Sequence, residues 1–350
     1  MTDAASVIRR PTGVLLVNLG TPDSTEVRDV RRYLAQFLMD PRVIDVAWPL
    51  RALLVHGVIL RTRPRRSAEA YRQIWTERGS PLLFHGEDLR DALQDELGPD
   101  VRVRLAMRYQ NPSVQAALER LADDGVDDVV VVPLFPQYSA SAWAAAYDEV
   151  VRVAGRMRNT PNLRFVPAFY DRPEFLDAVA AVARPHLDAF GADRVLMSFH
   201  GLPEKHVRDS DTSGGMHCLQ KHDCCAAITA QNRFCYRAQC FATARGLATR
   251  LGLGDDDYDV AFQSRLTKRW IQPFTDDLLD RLPQQGTRRL AVLCPSFVAD
   301  CLETIEEIGM RAKQQFVAAG GEDLLAVPCV NAERPWVQGL ARLVRAPAIV

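Results

Sequence analysis

Arg194-Val-Leu-Met-Ser-Phe-His200-Gly201-Leu-Pro203 is the stretch from which the rest of the chain is best read. An apolar run without polar alternation predicts a strand buried on both faces, as in a parallel sheet covered by helices. The run ends on an imidazole and is stopped at once by Gly-x-Pro. His200 is therefore expected at the carboxyl edge of a sheet, where open α/β folds bind their ligands. A strand-end histidine is also a common structural residue, so its surroundings must decide its role. Leu15-Leu-Val-Asn18-Leu-Gly20-Thr-Pro22 has the same form, a strand running into Gly-x-Pro.

Working outward, strand-length apolar runs are expected at Gly13–Asn18, Val101–Met107, Asp128–Leu134 and Leu163–Ala168. A second set falls at Arg194–Phe199, Tyr258–Phe262, Arg289–Cys294 and Leu324–Pro328. Helical patterns separate them, around Ser113–Asp123, Ser141–Arg156, Glu174–Phe190 and Phe241–Leu251. Strand alternating with helix predicts an α/β fold with parallel sheets flanked by helices. A second echo joins the sets: Val131-Val-Pro133-Leu-Phe135 and Val292-Leu-Cys-Pro295-Ser-Phe297 both place a strand before Pro-x-Phe and a helix start. Matching punctuation predicts an internal duplication with a boundary near Tyr170–Pro173. The cleft between two such domains is the natural ligand site. Neither glycine-rich phosphate-binding signature is present, so no nucleotide is implied.

The chain has 350 residues, of which 47% are hydrophobic and 25% charged, which suits two soluble domains of ordinary size. A net charge of −1 gives no reason to expect nucleic acid as a partner. MTDAASVIRRPTG at the start has no apolar core of a secretory signal, so a cytoplasmic location is expected. One stretch complicates that picture. Val43 to Leu60 is about as long as a membrane span, but Asp45, Pro49, Arg51 and His56 interrupt it. Three readings remain open: a core helix, an interfacial helix, or an apolar lip over a large ligand. The basic Arg61-Thr-Arg63-Pro-Arg65-Arg66 that follows suits the last two, with peripheral membrane contact as a consequence.

Five of the eight cysteines fall within HCLQKHDCCAAITAQNRFCYRAQC, spaced C-x5-C-C-x9-C-x4-C from Cys218 to Cys240, with His217 and His222 alongside. In a cytosolic chain such thiols are read as ligands rather than disulfides. Soft thiolates select zinc, copper(I) or an iron–sulfur cluster. The paired C-x-x-C knuckles of zinc sites are absent, and the irregular spacing suits four thiolates on an iron–sulfur cluster. Zinc and free, redox-active thiols stay open. Cys218, Cys225, Cys235 and Cys240 are the expected ligands, with Cys224 as alternate, because adjacent side chains diverge. Downstream, Asp300, Glu303 and Glu307 stand at i, i+3 and i+7, one face of an α-helix. An imidazole facing carboxylates suits proton removal or divalent-metal handling, although acids near a helix start also simply suit its dipole.

These residues resemble the ferrochelatases over nearly the whole chain. The resemblance rests on LLVNLGTP (15–22), Tyr71 with Gly79-Ser80-Pro81, PLFPQYSAS (133–141), SFHGLPEKH (198–206), FQSRLTKRW (262–270) and CPSFVADCLETIEEIG (294–309). It implies two similar Rossmann-like domains with four-stranded parallel sheets, residues 1–170 and 171–330, followed by a C-terminal helix (331–350) packing back on the first domain. It implies a porphyrin lip at about 30–80 and a cysteine insertion at 209–240. It implies insertion of Fe²⁺ into protoporphyrin IX to form protohaem, a lyase reaction closing haem biosynthesis. His200 and Glu303 are then the metal-binding and proton-abstracting pair, and Asp300 and Glu307 a proton or metal path. Arg63, Tyr71 and Ser80 match propionate-binding or cavity-wall positions, and Tyr138 and Trp270 ring-contacting ones. A 2Fe–2S cluster is implied on the inserted cysteines, with Cys240 in the family's common frame.

Two departures stand out. Cys301 occupies the place where some members carry a histidine two residues before the site glutamate, and all cluster ligands must come from the internal insertion. CLETIEEIG resembles protoporphyrin-using members more than those acting on coproporphyrin. Other readings are a coproporphyrin, cobalt or nickel chelatase, a clamp holding iron or haem without chemistry, and an iron–sulfur sensor on a relic fold.

Overall fold

The computed structural model describes residues 11–346. The start read as lacking a secretory signal lies mostly in residues 1–10, and the end of the expected 331–350 helix in 347–350, both outside the described residues. Among the described residues, eight parallel strands are arranged in two sheets. The first holds β1 (Thr12–Gly20), β2 (Val101–Tyr109), β3 (Asp128–Pro133) and β4 (Asn162–Phe165) in the order β2-β1-β3-β4. The second holds β5 (Arg194–His200), β6 (Tyr258–Gln263), β7 (Arg289–Leu293) and β8 (Asp323–Ala326) in the order β6-β5-β7-β8. Each order is the other with four added to every strand number, which is the duplication the punctuation predicted.

The central strands read as continuous apolar runs because helices cover both their faces. Val14, Leu15, Leu16 and Val17 on β1, and Leu196, Met197 and Phe199 on β5, are fully buried. Helices begin where caps and prolines allow: Ser113 Oγ accepts from the Ala116 N–H at 3.1 Å, and Pro173 opens the Pro173–Phe190 helix. A positive φ at Gly191 ends that helix. The Arg334–Arg345 helix packs on the Pro173–Phe190 and Pro81–Leu97 helices, burying Trp336 against Phe169 and Phe175. Its end is held by Arg164, which donates to Val344 O at 2.7 Å and Ala346 O at 3.1 Å. One apolar core thus runs through both halves.

Three expectations need correction. The helix expected from Phe241 starts five residues earlier, at Tyr236, because the Cys235 sulfur accepts from the Ala238 N–H and caps it. The acidic segment is not an α-helix from Asp300: a π-helix spans Glu303–Ala312, with Asp300 ahead of it. Wider π turns still keep Glu303 and Glu307 on one side, but Asp300 leaves their face. The third concerns Val43–Leu60, which is no core helix. The chain runs through Trp48–Leu54, a π turn at Val55–Ile59 and the Leu60–Ile74 helix. Trp48, Leu50, Leu53 and Val58 are 60–69% exposed, so this apolar edge faces outward. Asp45 ties it to the other domain through Lys205 Nζ at 2.5 Å. Among the described residues no helix is long and apolar enough to cross a membrane.

Candidate active site

Both sheets reverse strand order between their two central strands, and such switch points open a crevice at the carboxyl edge. His200 sits there, half-buried, as the last residue of β5. Its main-chain N–H donates to Ser296 Oγ at 3.0 Å, joining the ends of β5 and β7. Its ring Nδ1 lies 2.6 Å from Gly201 O. A carbonyl only accepts, so Nδ1 is the donor there and Nε2 is the ring nitrogen left for the cleft. Trp270 and Phe297 flank the ring at 6.4 and 6.3 Å. Gly201 has no room for a side chain, since a Cβ there would meet Gln263 O at 2.7 Å and the Trp270 ring at 3.1 Å.

The π-helix carries Glu303 and Glu307, and Glu307 lies within electrostatic reach of the imidazole. Glu307 is held at 2.8 Å by the Ser264 N–H and at 2.5 Å by the Ser264 hydroxyl. Ser264 adopts a left-handed backbone, φ +64°, a conformation a non-glycine residue takes up only under constraint from its surroundings. Burial pushes the Glu307 carboxyl above the usual range and Glu303 adds to the push, while Ser264 and His200 pull it down. Glu307 therefore feels both partners of the expected pair. Gln263 Nε2 donates to Glu303 O at 3.0 Å, fixing the helix start.

Asp300 is engaged elsewhere. Its carboxylate accepts from Asn331 Nδ2 at 2.7 Å, from Thr304 Oγ1 at 2.9 Å and from the Cys329 N–H at 3.3 Å. It caps the segment rather than facing His200.

Glu303 also borders the first domain. Leu302, Ile305 and Met310 pack against the cluster containing Tyr33 and Tyr71. Both phenols are buried and pushed up, first by burial, with the Glu303 charge adding to it. Beside them the Ser80 and Thr21 hydroxyls are hydrogen-bonded at 2.8 Å, and the Tyr33 and Tyr71 rings meet edge to face at 6.5 Å. The charge of half-buried Arg63 reaches Tyr33. Tyr71 and Ser80 are thus buried in the wall, Arg63 stands at its rim, and Trp270 lies beside His200. Half-buried Tyr138 packs between Trp143 and Phe234, at 5.7 and 5.4 Å.

The cysteine segment forms a separate thiol nest. Cys218, Cys224, Cys225, Cys235 and Cys240 are all at most 7% exposed. Cys235 contacts both Cys218 and Cys225, and the Cys224 and Cys225 sulfurs are 3.8 Å apart. Arg237 Nη1 donates to Cys225 Sγ at 3.1 Å. Two buried polar residues replace regular structure here. Asp211 accepts from the N–H groups of Ser213, His217 and Cys218 at 2.8–2.9 Å, and Asn232 Nδ2 donates to Cys224 O and Ala227 O at 2.8 and 2.9 Å. His217 is occupied with Cys224 O at 3.2 Å. Among the described residues, no three His, Cys, Asp or Glu side chains surround a single ion. The donor set is nonetheless all sulfur, buried and next to a guanidinium, which suits an anionic cluster spread over two metals better than one ion.

Sequence reading missed Ser264, Gln263, Ser296, Asn331, Tyr33, Asp211 and Asn232. Ser264 and Gln263 were within reach, since both lie in the FQSRLTKRW stretch.

An imidazole at the switch point of one of two duplicated sheets, with half-buried carboxylates on the neighbouring π-helix, is an arrangement with which an α/β enzyme can move protons or a divalent metal on a bound ligand. The ferrochelatase family model matches residues 11–348. The curated ferrochelatase of Azotobacter vinelandii is 52% identical over 339 residues, covering 95% of this chain and 98% of that protein. That of Stutzerimonas stutzeri is 50% identical with the same coverage. Among solved structures, SirB from Bacillus subtilis with Fe³⁺ aligns at TM-score 0.49 and 14% identity, over 96% of this chain and 94% of that one. The chain belongs to the ferrochelatase family.

Proposed function

We propose that this protein inserts Fe²⁺ into protoporphyrin IX to form protohaem, with both substrates meeting in the cleft at His200. One observation carries the reading: Nδ1 of His200 is committed to Gly201 O, which leaves Nε2 for a ligand in the cleft, and Glu307 of the π-helix lies within electrostatic reach of the ring. Insertion exchanges two pyrrole N–H protons for one Fe²⁺, and no electron moves. Nε2 takes a proton from the macrocycle, or ligates the incoming ion, with Glu303 as its partner. Glu307, whose burial raises its proton affinity, receives protons from that pair. Asp300, clamped by Asn331 and Thr304, caps the helix start and stands outside this route.

Tyr138 and Trp270 contact the porphyrin face, and Arg63 meets a propionate. Tyr71 and Ser80 shape the wall from buried positions rather than by direct exposure. The outward apolar edge from Trp48 to Val58, followed by Arg61 and Arg65, suits peripheral docking on an anionic membrane from which an apolar macrocycle partitions. Cys218, Cys225, Cys235 and Cys240, with Cys224 as alternate, hold a 2Fe–2S cluster. Such a cluster supplies a covalent staple to a segment that has no regular structure of its own.

The deciding experiment is anaerobic turnover of purified protein with Fe²⁺ and either protoporphyrin or coproporphyrin, beside a His200→Ala control. His200-dependent insertion into protoporphyrin is expected. Preference for coproporphyrin would overturn the substrate, and tight porphyrin binding with no insertion into either would leave a binding protein.

A further inference from the structure

We propose that Gln137 is a positioning residue for His200: its buried side-chain amide sets the gap between the Tyr138 loop on one side of the cleft and the end of β7 on the other. This rests on the roles given above to His200 and Tyr138. Gln137 lies in the loop after β3, in the first half of the chain, and is 2% exposed. Its Nε2 donates to Thr243 Oγ1 at 3.0 Å and to Pro295 O at 3.2 Å, both in the second half. A main-chain carbonyl only accepts, so the NH2 end of the amide faces the second half, and its two hydrogens match the two partners. Pro295 is followed by Ser296, whose Oγ accepts from the His200 main-chain N–H at 3.0 Å. One side chain therefore spans from the residue before Tyr138 to the residue before Ser296, which holds the end of β5.

Tyr138 is also held independently of Gln137. Its N–H donates to Gln239 Oε1 at 2.7 Å, and Gln239 Nε2 donates to Arg233 O at 2.7 Å. Thr243 is fixed as well: its hydroxyl donates to Tyr170 O at 2.8 Å, which leaves an oxygen lone pair for Gln137. Gln239 and Thr243 are 2% and 0% exposed, so water does not stand in for these bonds. The apolar core already joins the two halves. Exchanging a buried hydrogen-bonded pair for apolar groups of the same shape is nearly neutral for stability. What the amide adds is direction, because two acceptors at fixed angles determine where Pro295 and the β7 end stand relative to Tyr138. A shift of about 1 Å between a ligand and its reacting group can cost about 100-fold in rate, so this spacing bears on turnover more than on folding.

The test uses Gln137→Met in the full chain, a side chain of similar length without a donor, beside Asn18→Ala as a variant of similar stability loss. Gln137→Met is expected to lower kcat about tenfold with porphyrin KM within about twofold, since Gln239 still holds Tyr138. Asn18→Ala should lose a comparable amount of stability with kcat within about threefold. Thr243→Val removes one of the two acceptors and should lower kcat about threefold, and the double variant should fall no further than Gln137→Met alone. Turnover in Gln137→Met equal to that of Asn18→Ala, a loss confined to KM, or fully multiplicative effects in the double variant would overturn the proposal. Should Gln137→Met not fold, a parent-like kcat in Thr243→Val overturns it instead. If His200→Ala keeps normal turnover, the catalytic reading fails and this proposal with it. If His200→Ala is inactive while Gln137→Met turns over like the parent, the positioning role alone fails.

Discussion

In the first sheet Leu15 pairs with Val131, two residues before Pro133; in the second Met197 pairs with Leu293, two residues before Pro295. Three residues further along the central strands stand Asn18 and His200, so these two occupy equivalent places. Asn18 is buried and turns Oδ1 back to the Leu19 N–H at 2.8 Å. His200 instead leaves Nε2 for the cleft. The segments that follow are also paired. Ala140–Ala144, small and uncharged but for one Trp, forms a short π turn, whereas the π-helix Glu303–Ala312 brings Glu303 and Glu307. One half keeps its strand end satisfied and serves as wall. In the proposed reading the other turns the same geometry to reactive groups, and a few side chains at matched positions separate scaffold from site.

The largest expected effect breaks that pair directly. His200→Ala should reduce iron insertion by about 10³-fold, the scale of losing a positioned base, while porphyrin binding persists. Asn18→Ala should leave kcat within about threefold and cost about 1 kcal/mol of stability, as one buried hydrogen bond is lost. Anaerobic turnover and denaturant midpoints on the two variants read both numbers. Comparable losses of turnover would show that the first sheet is no mere wall.

The two strand-end glycines sharpen the contrast. Gly20 has φ +126°, and a Cβ there would sit 2.1 Å from Tyr109 O. Gly20→Ala should therefore cost about 3 kcal/mol or more, from backbone strain and overpacking together. Gly201 lacks the positive φ, and its Cβ would press on Gln263 O and the Trp270 ring instead. Gly201→Ala should unfold at a milder denaturant cost but lower kcat about tenfold, since the pushed groups frame His200. A purely structural loss at Gly201 would argue against Trp270 as part of the site.

The outward edge of the first domain has no counterpart in the second, and its effect should be smaller still. Trp48→Ser with Leu53→Ser, at 65% and 69% exposure, should change stability by no more than about 0.5 kcal/mol. Sedimentation with anionic vesicles should fall about tenfold in the double variant. Equal sedimentation would remove membrane docking from this face.

The strand alternation was legible because parallel strands buried on both faces must be apolar throughout, and because the duplication repeats its punctuation. His200 was legible for the same reason: an imidazole closing such a run has few other places to go. The acids were half legible. Their side of the helix was clear, but an i, i+3, i+7 count presumes α geometry, and the π-helix leaves Asp300 outside, clamped by Asn331. Asn331 takes φ +43° to do so, and Ser264 takes φ +64° to hold Glu307. Neither is a glycine, so no sequence pattern marks the turn. The cysteine nest was visible as a density of thiols. Its frame, Asp211 and Asn232 in place of helix or strand, consists of long-range side-chain to main-chain bonds that carry no period.

Glu307 gives the smallest effect and the finest test of which half carries the reaction. Its folded carboxyl binds a proton more tightly than an unfolded one, because burial outweighs the pull of Ser264 and His200. A raised carboxyl pKa means that the native state is penalised once the group must ionise: the penalty is absent below the unfolded value of about 4 and grows as pH rises through the folded value. Glu307→Gln should therefore raise Tm at neutral pH by about 1–3 °C, with the gap from the parent closing below about pH 4. The same variant should slow insertion, since Gln cannot carry the proton. Asp300→Asn, changing an acid that is fully bonded rather than poised, should lower Tm instead. If Glu307→Gln were destabilised at neutral pH, its carboxylate would be one more structural anchor, and the second half of the cleft would resemble the first more closely than its sequence implies.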